Sequence, residues 1–180
     1  MSNCVDSNYR DQYANFIATG LARFTDDFLK LITVAGPKAR YFFAGNGASA
    51  AIASHLANDF SKALKLRAQT FHDPALLTCF GNDYGYENWI AEAVKLFGEQ
   101  EDVLVLISSS GRSPNIVNAA AMAKTKGMRI VALTGPEPNA TLIEQSDVSL
   151  KIQSKIYNII ECCHMMALCA VVDSVNLVTL

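Results

Sequence analysis

Residues 102–135, DVLVLISSSGRSPNIVNAAAMAKTKGMRIVALTG, contain two short apolar, β-branched runs separated by a helix-forming segment. An apolar run of this length, bounded by turn-prone residues, reads as a strand buried on both faces. Between the runs, SPNIVNAAAMAKTKG reads as a helix opening near Pro114, a residue suited to a first turn, and stopping at Gly127. Strand, helix and strand in so few residues imply a crossover, the connection that parallel strands require.

The alternation continues on both sides. YFFAG, Tyr41 to Gly45, is a short buried strand, NGAS a turn, and AAIASHLANDFSKAL a helix with an apolar face at Ile52, Leu56 and Phe60. Residues 67–94 hold a short strand, a loop with Asp and Pro, and then helical sequence. DVSLKI is a further strand. Residues 156–178 are almost continuously apolar, as in a helix buried on more than one side. Ahead of the first strand, residues 8–34 form a helical segment with Phe16, Leu21, Phe24, Phe28 and Leu31 at helical spacing, closed by the break AGPKAR. The expectation is an α/β fold, a parallel sheet covered by helices on both faces, in one domain over residues 1–180.

Composition excludes several classes of function. Half of the 180 residues are apolar, and the net charge of −2 provides no basic field for nucleic acid. The start, MSNCVDSNYRDQYANF, shows no export signal, and the apolar stretches read as short of a membrane span. Five cysteines without framework spacing then point to reduced thiols and a cytoplasmic location.

Two turns share one plan, FFAGNGASAA and LVLISSSGRSPNIV: apolar strand, small polar loop, helix. In an open α/β sheet, ligands sit outside the carboxyl ends of the strands, where helix N-termini favour anions. The hydroxyls of Ser108, Ser109, Ser110 and Ser113 add donors that rotate to suit phosphate oxygens, and Gly111 lets the backbone turn closely. A helix cap alone would need Ser113 and nothing more. The loop is neither a P-loop nor a dinucleotide fingerprint.

AGNGASAAIASHLANDF, FGNDYGYEN and residues 102–135 resemble the sugar-isomerase (SIS) domain, and within it the phosphoheptose isomerases. The resemblance implies a three-layer flavodoxin-like sandwich and a homotetramer with active sites at subunit interfaces. It also implies isomerisation of sedoheptulose 7-phosphate, or a related sugar phosphate, for lipopolysaccharide or capsule biosynthesis. By the same resemblance Ser49, Ser108, Ser109, Ser110 and Ser113 bind the phosphate, while Asn46, Gly47 and Asp83 shape the sugar pocket.

An aldose–ketose isomerase moves a proton between adjacent carbons through an enediol, which requires a base, an acid and stabilisation of an oxyanion. The family often uses zinc, held by a His–Glu pair four apart on the helix after the first loop and a Gln–His pair eight apart on the last helix. Here the corresponding residues are His55, Asp59, Glu161 and Cys169. They make a metal set of N, O, O and S donors, one zinc per site, with Asp59, Glu161 and Cys169 also the catalytic candidates. Three of the four depart from the family, and Cys169 replaces its catalytic histidine. Cys162 and Cys163 read as apolar fillers; Cys169 reads equally as filler or ligand, and His164 as a supporting or a core histidine. Arg112 is either solvated or a contact for a second anionic group. The alternative to an enzyme is a non-catalytic module that binds a phosphosugar and acts as an adaptor, as one relative does for a bacterial replication initiator.

Overall fold

The computed structural model describes residues 4–177. Its centre is a five-stranded sheet, β1 (Arg40–Gly45), β2 (Arg67–Thr70), β3 (Val103–Ser108), β4 (Arg129–Thr134) and β5 (Val148–Lys151). All pairings are parallel and the order is β2-β1-β3-β4-β5. This is the flavodoxin-like order, whose direction of winding reverses between β1 and β3.

Alternate residues of each strand feed two cores, as the period of two dictates. Tyr41, Phe43, Val105 and Ile107 face α2 (Ala22–Ala35), α3 (Ala48–Lys62) and α8 (Tyr157–Leu177). Phe42, Ala44, Leu104 and Leu106 face α5 (Trp89–Phe97) and α6 (Pro114–Thr125). Helices, sheet and helices form the three layers that the sequence implies.

The N-terminal segment is α1 (Cys4–Phe16), one π-helical turn over Ile17–Leu21, and then α2. The stretch read as a loop with Asp and Pro is the start of α4 (Pro74–Tyr84). Asp73 caps it, accepting from the Ala75 and Leu76 N–H groups, both at 3.0 Å, and Pro74 takes the first turn. A short helix that the sequence pattern does not announce, α7 (Ala140–Gln145), is capped by Asn139.

Helix α8 corrects one expectation. Over Tyr157–Val175 it is long and apolar enough to cross a membrane, with mean hydropathy 1.4. Ile159, Cys163, Ala167, Leu168 and Val171 are buried in the core shared with α2 and α3, and 44% of that window lies inside the chain.

At the amino ends of β1 and β3, Asp102 is almost fully buried and its acceptor sites are occupied. It accepts from the Arg40 guanidinium at 2.6 and 3.0 Å, and from the Arg40 and Glu99 N–H groups at 2.8 and 2.9 Å. A charge so placed is tolerated because each lone pair has a partner.

Candidate functional site

At the other end of the same strands lies a cavity of about 240 Å³. It is lined by Ser108, Ser109, Ser110 and Ser113 after β3, Asn46 and Ser49 after β1, and Tyr157 and Glu161 of α8. It sits where the strand order reverses, between the N-termini of α3 and α6, which leave N–H groups unsatisfied.

The serines divide by role. Ser108 Oγ accepts from the Gly111 N–H at 3.1 Å and Ser110 Oγ from the Arg112 N–H at 3.2 Å, so these two hydroxyls fold the loop and retain their own O–H to donate. Ser109 donates to Glu161 Oε1 at 3.3 Å. Ser113 occupies the N-cap position of α6 in extended conformation yet makes no side-chain capping bond. Its hydroxyl is therefore not explained by helix capping. Ser49, 3% exposed, lines the cavity from the first turn of α3.

Two glycines permit these approaches. Gly111 has φ +61°, and a Cβ there would lie 2.5 Å from Pro138 Cβ. Gly135 passes so close to the Ser109 carbonyl that a Cβ would overlap it, at 2.3 Å. With the Asn139 N–H donating to the Gly111 carbonyl at 2.9 Å, the serine loop is fastened to residues 135–139.

Asn46 is held by two residues that sequence reasoning missed. Its amide forms a reciprocal pair with that of Asn115, at 2.8 and 3.0 Å, and the Tyr86 hydroxyl donates to Asn46 Oδ1 at 3.0 Å. Asn115 is 2% exposed. A polar residue on the buried face of a first helical turn was the available signal. Gly47 is the N-cap of α3 with φ +56°, where its freedom sets the loop's exit angle. Asp83 lies on the exposed side of α4, accepting from Asn82 at 2.9 Å and Cys79 at 3.6 Å, and does not line the cavity.

The four metal candidates do not come together within the chain. His55 Nε2 and Asp59 Oδ2 are 3.2 Å apart, one turn apart on α3. Cys169 is half-buried near them; burial raises its thiol pKa, and the Asp173 and Asp59 carboxylates add to the shift. Glu161 is in the serine cavity instead. Among the described residues no three His, Cys, Asp or Glu side chains form a group able to hold a metal. Glu161 lines the serine cavity, whereas Cys169, two turns further along α8, feels the charge of Asp59 on α3. Zinc holds its donors at about 2.0–2.3 Å. As placed in this chain, the four donors are not gathered at that distance around one point.

His164 is the core histidine of the two readings. It is fully buried, its Nε2 lies 3.1 Å from the Thr134 carbonyl, and burial pushes its pKa down to about 4. It is therefore neutral at pH 7, and Nε2 is the donor to Thr134.

Comparison with known proteins agrees with this architecture. The family model for the SIS domain matches residues 33–135. The chain belongs to the SIS-domain family. A phosphoheptose isomerase of Streptomyces coelicolor is 36% identical over 154 residues, 81% of this chain and 66% of the relative. One from Fusobacterium nucleatum is 30% identical over 82% of this chain and 78% of its own length. This chain thus spans just under two thirds of the length of the Streptomyces relative. The solved phosphoheptose isomerase of Neisseria gonorrhoeae superposes with a TM-score of 0.86 at 27% identity, covering 96% of each chain.

Proposed function

We propose that this SIS-domain protein is a sugar-phosphate isomerase of the phosphoheptose isomerase type. It would interconvert an aldose and a ketose, sedoheptulose 7-phosphate or a close relative, through an enediol in the cytoplasm. The observation that carries the reading is one cavity holding five serine hydroxyls and one carboxylate, Glu161.

The serines and the α6 N-terminus bind the phosphate. Asn46, fixed by Asn115 and Tyr86, keeps an N–H to orient the sugar hydroxyls. The Glu161 carboxylate removes the proton from the carbon beside the carbonyl, giving an enediolate; the proton of the neighbouring hydroxyl passes to the former carbonyl oxygen through the enediol, and Glu161 returns its proton to the former carbonyl carbon. Asp59, the base implied by resemblance, is paired with His55 outside this cavity, so Glu161 is the favoured base. Zinc enters no step; metal analysis of untagged protein and of Cys169→Ala tests it, and absence of bound zinc under all conditions removes it.

The test is turnover of a panel of ketose and aldose phosphates in D2O. Conversion with deuterium incorporated beside the carbonyl supports the enediol route. The second reading, a phosphosugar-binding module without catalysis, is favoured by one observation: a neutral thiol, Cys169, stands where the family has its histidine. No turnover and no exchange, while a phosphosugar still raises the melting temperature, selects that reading. A tetramer belongs to the same proposal. Tyr84, Tyr86 and Leu96 are exposed apolar residues suited to burial between copies, and the mass in solution tests it.

A further inference from the structure

We propose that Asn46 is the oxyanion donor of the isomerase, and that Tyr86 and Asn115 are positioning residues that fix its one remaining N–H for the carbonyl oxygen of the sugar. The proposal rests on the reading of the site as a sugar-phosphate isomerase. It supplies a part which that reading leaves unassigned, the group that stabilises the charge of the enediolate.

A side-chain amide has two N–H donors and a carbonyl oxygen with two lone pairs. In Asn46 both lone pairs and one donor are in use. Its Oδ1 accepts from the Asn115 amide at 2.8 Å and from the Tyr86 hydroxyl at 3.0 Å, and its Nδ2 donates to Asn115 Oδ1 at 3.0 Å. One N–H is left, and among the described residues nothing accepts from it. Asn46 can therefore donate to a ligand and cannot accept from one. Turning the amide over would set oxygen against oxygen and nitrogen against nitrogen across the pair with Asn115, which is itself only 2% exposed. The donor is thus oriented before any ligand arrives.

The oxygens of a sugar differ in what they require. A hydroxyl both donates and accepts, whereas a carbonyl oxygen, and the enediolate oxygen it becomes, only accepts. Asn46 matches the second kind, so among the sugar's oxygens the one it meets is the carbonyl. The cavity offers little competition for the task. No cation lines it, the serines serve the phosphate, and Glu161 serves the proton, which leaves Asn46 and Tyr157. Tyr157 is 59% exposed, whereas Asn46 is pinned. Asn46 also directly precedes Gly47, the N-cap of α3, so the positive end of a helix dipole lies beside the donor. A donor held still in this way stabilises the transition state more than the ground state, because nothing has to reorganise as charge develops.

Steady-state kinetics on sedoheptulose 7-phosphate and titration calorimetry with two probes test this on the whole protein. One probe is 6-phospho-D-altronohydroxamate, a planar mimic of the enediolate. The other is the heptitol 7-phosphate made by reducing the substrate, which has no carbonyl oxygen. Asn46→Ala is expected to lower kcat about 10²–10³-fold while KM changes by less than about threefold. Its affinity for the hydroxamate should fall by at least about thirtyfold. The heptitol phosphate should bind within about threefold of its wild-type affinity, which also shows that fold and cradle survive the substitution. Tyr86→Phe, which removes only a hydroxyl, and Asn115→Ala should each lower kcat about tenfold with the same split. A raised KM at unchanged kcat in Asn46→Ala, or an equal loss of both probes, overturns the proposal, because the N–H then holds a sugar hydroxyl. Full kcat in both Tyr86→Phe and Asn115→Ala overturns the positioning roles. If the wild-type protein neither turns over the substrate nor binds the hydroxamate more tightly than the heptitol phosphate, the isomerase reading itself fails and this proposal fails with it.

Discussion

The two ends of strands β1 and β3 are built on opposite plans. At the amino ends, Asp102 is buried with Arg40 and two backbone N–H groups, and its acceptor sites are filled. At the carboxyl ends, Ser113 occupies a capping position without capping, and a carboxylate stands among hydroxyls. Buried polar groups are normally satisfied within the protein, so an end that leaves donors uncommitted is one prepared for something else to satisfy them. One end holds the fold together; the other is the one to which the proposed function assigns a ligand.

Substitutions at the two ends should therefore fail in different ways. Glu161→Gln should lower turnover by about 10³-fold while leaving the unfolding midpoint nearly unchanged, since the amide can still accept from Ser109. A variant that remains active would locate the base elsewhere and reopen the claim of Asp59. Asp102→Ala should do the reverse. It leaves the Arg40 guanidinium without its buried partner and should cost about 3 kcal/mol of stability in a denaturant titration, with turnover per folded molecule retained. Loss of turnover without loss of stability would erase the distinction between the ends.

The third effect appears only in acid. His164 has a folded pKa of about 4 against an ordinary 6.5, so the unfolded chain binds the proton first as pH falls. Its contribution is complete above pH 6.5 and is lost as pH drops toward 4, up to about 3 kcal/mol. His164→Asn should flatten stability against pH across that window; an unchanged slope would assign the acid sensitivity to other groups. The smallest effect is a contrast of two caps. Asp73→Ala removes two capping bonds and should cost about 1 kcal/mol, whereas Ser113→Ala should change stability by less than about 0.5 kcal/mol. Ser113→Ala should instead weaken sugar-phosphate binding about tenfold. Equal stability losses would make Ser113 a structural residue after all.

Much of this contrast was readable in advance at the carboxyl end and little at the amino end. Strands β1, β3 and β4 stood out because burial on both faces leaves continuous apolar runs, and the serine loop because four hydroxyls exceed the needs of a turn. Asp102 was passed over as the first letter of a strand, since its partner Arg40 lies 62 residues away. Asn115 and Tyr86 were missed for the same reason: what makes them site residues is Asn46, which only the folded sheet brings to them. Helix α7, six residues long, offered too short a pattern to register. For the metal set, periodicity indicated a shared helical face but did not show which cavity each side chain enters, and Glu161 enters the serine cavity.

The clasp between Gly111 and Pro138 has a consequence for mutational tolerance. The serine loop cannot shift alone, because its glycine abuts Pro138 and its carbonyl is held by Asn139. A scan of every position for phosphosugar binding should accordingly show two sensitive troughs. One falls at the hydroxyls; the other falls at residues 135–139, where a search for binding chemistry would pass over the glycine and prolines. Those residues would be intolerant of change because they are the mould against which the binding loop is cast.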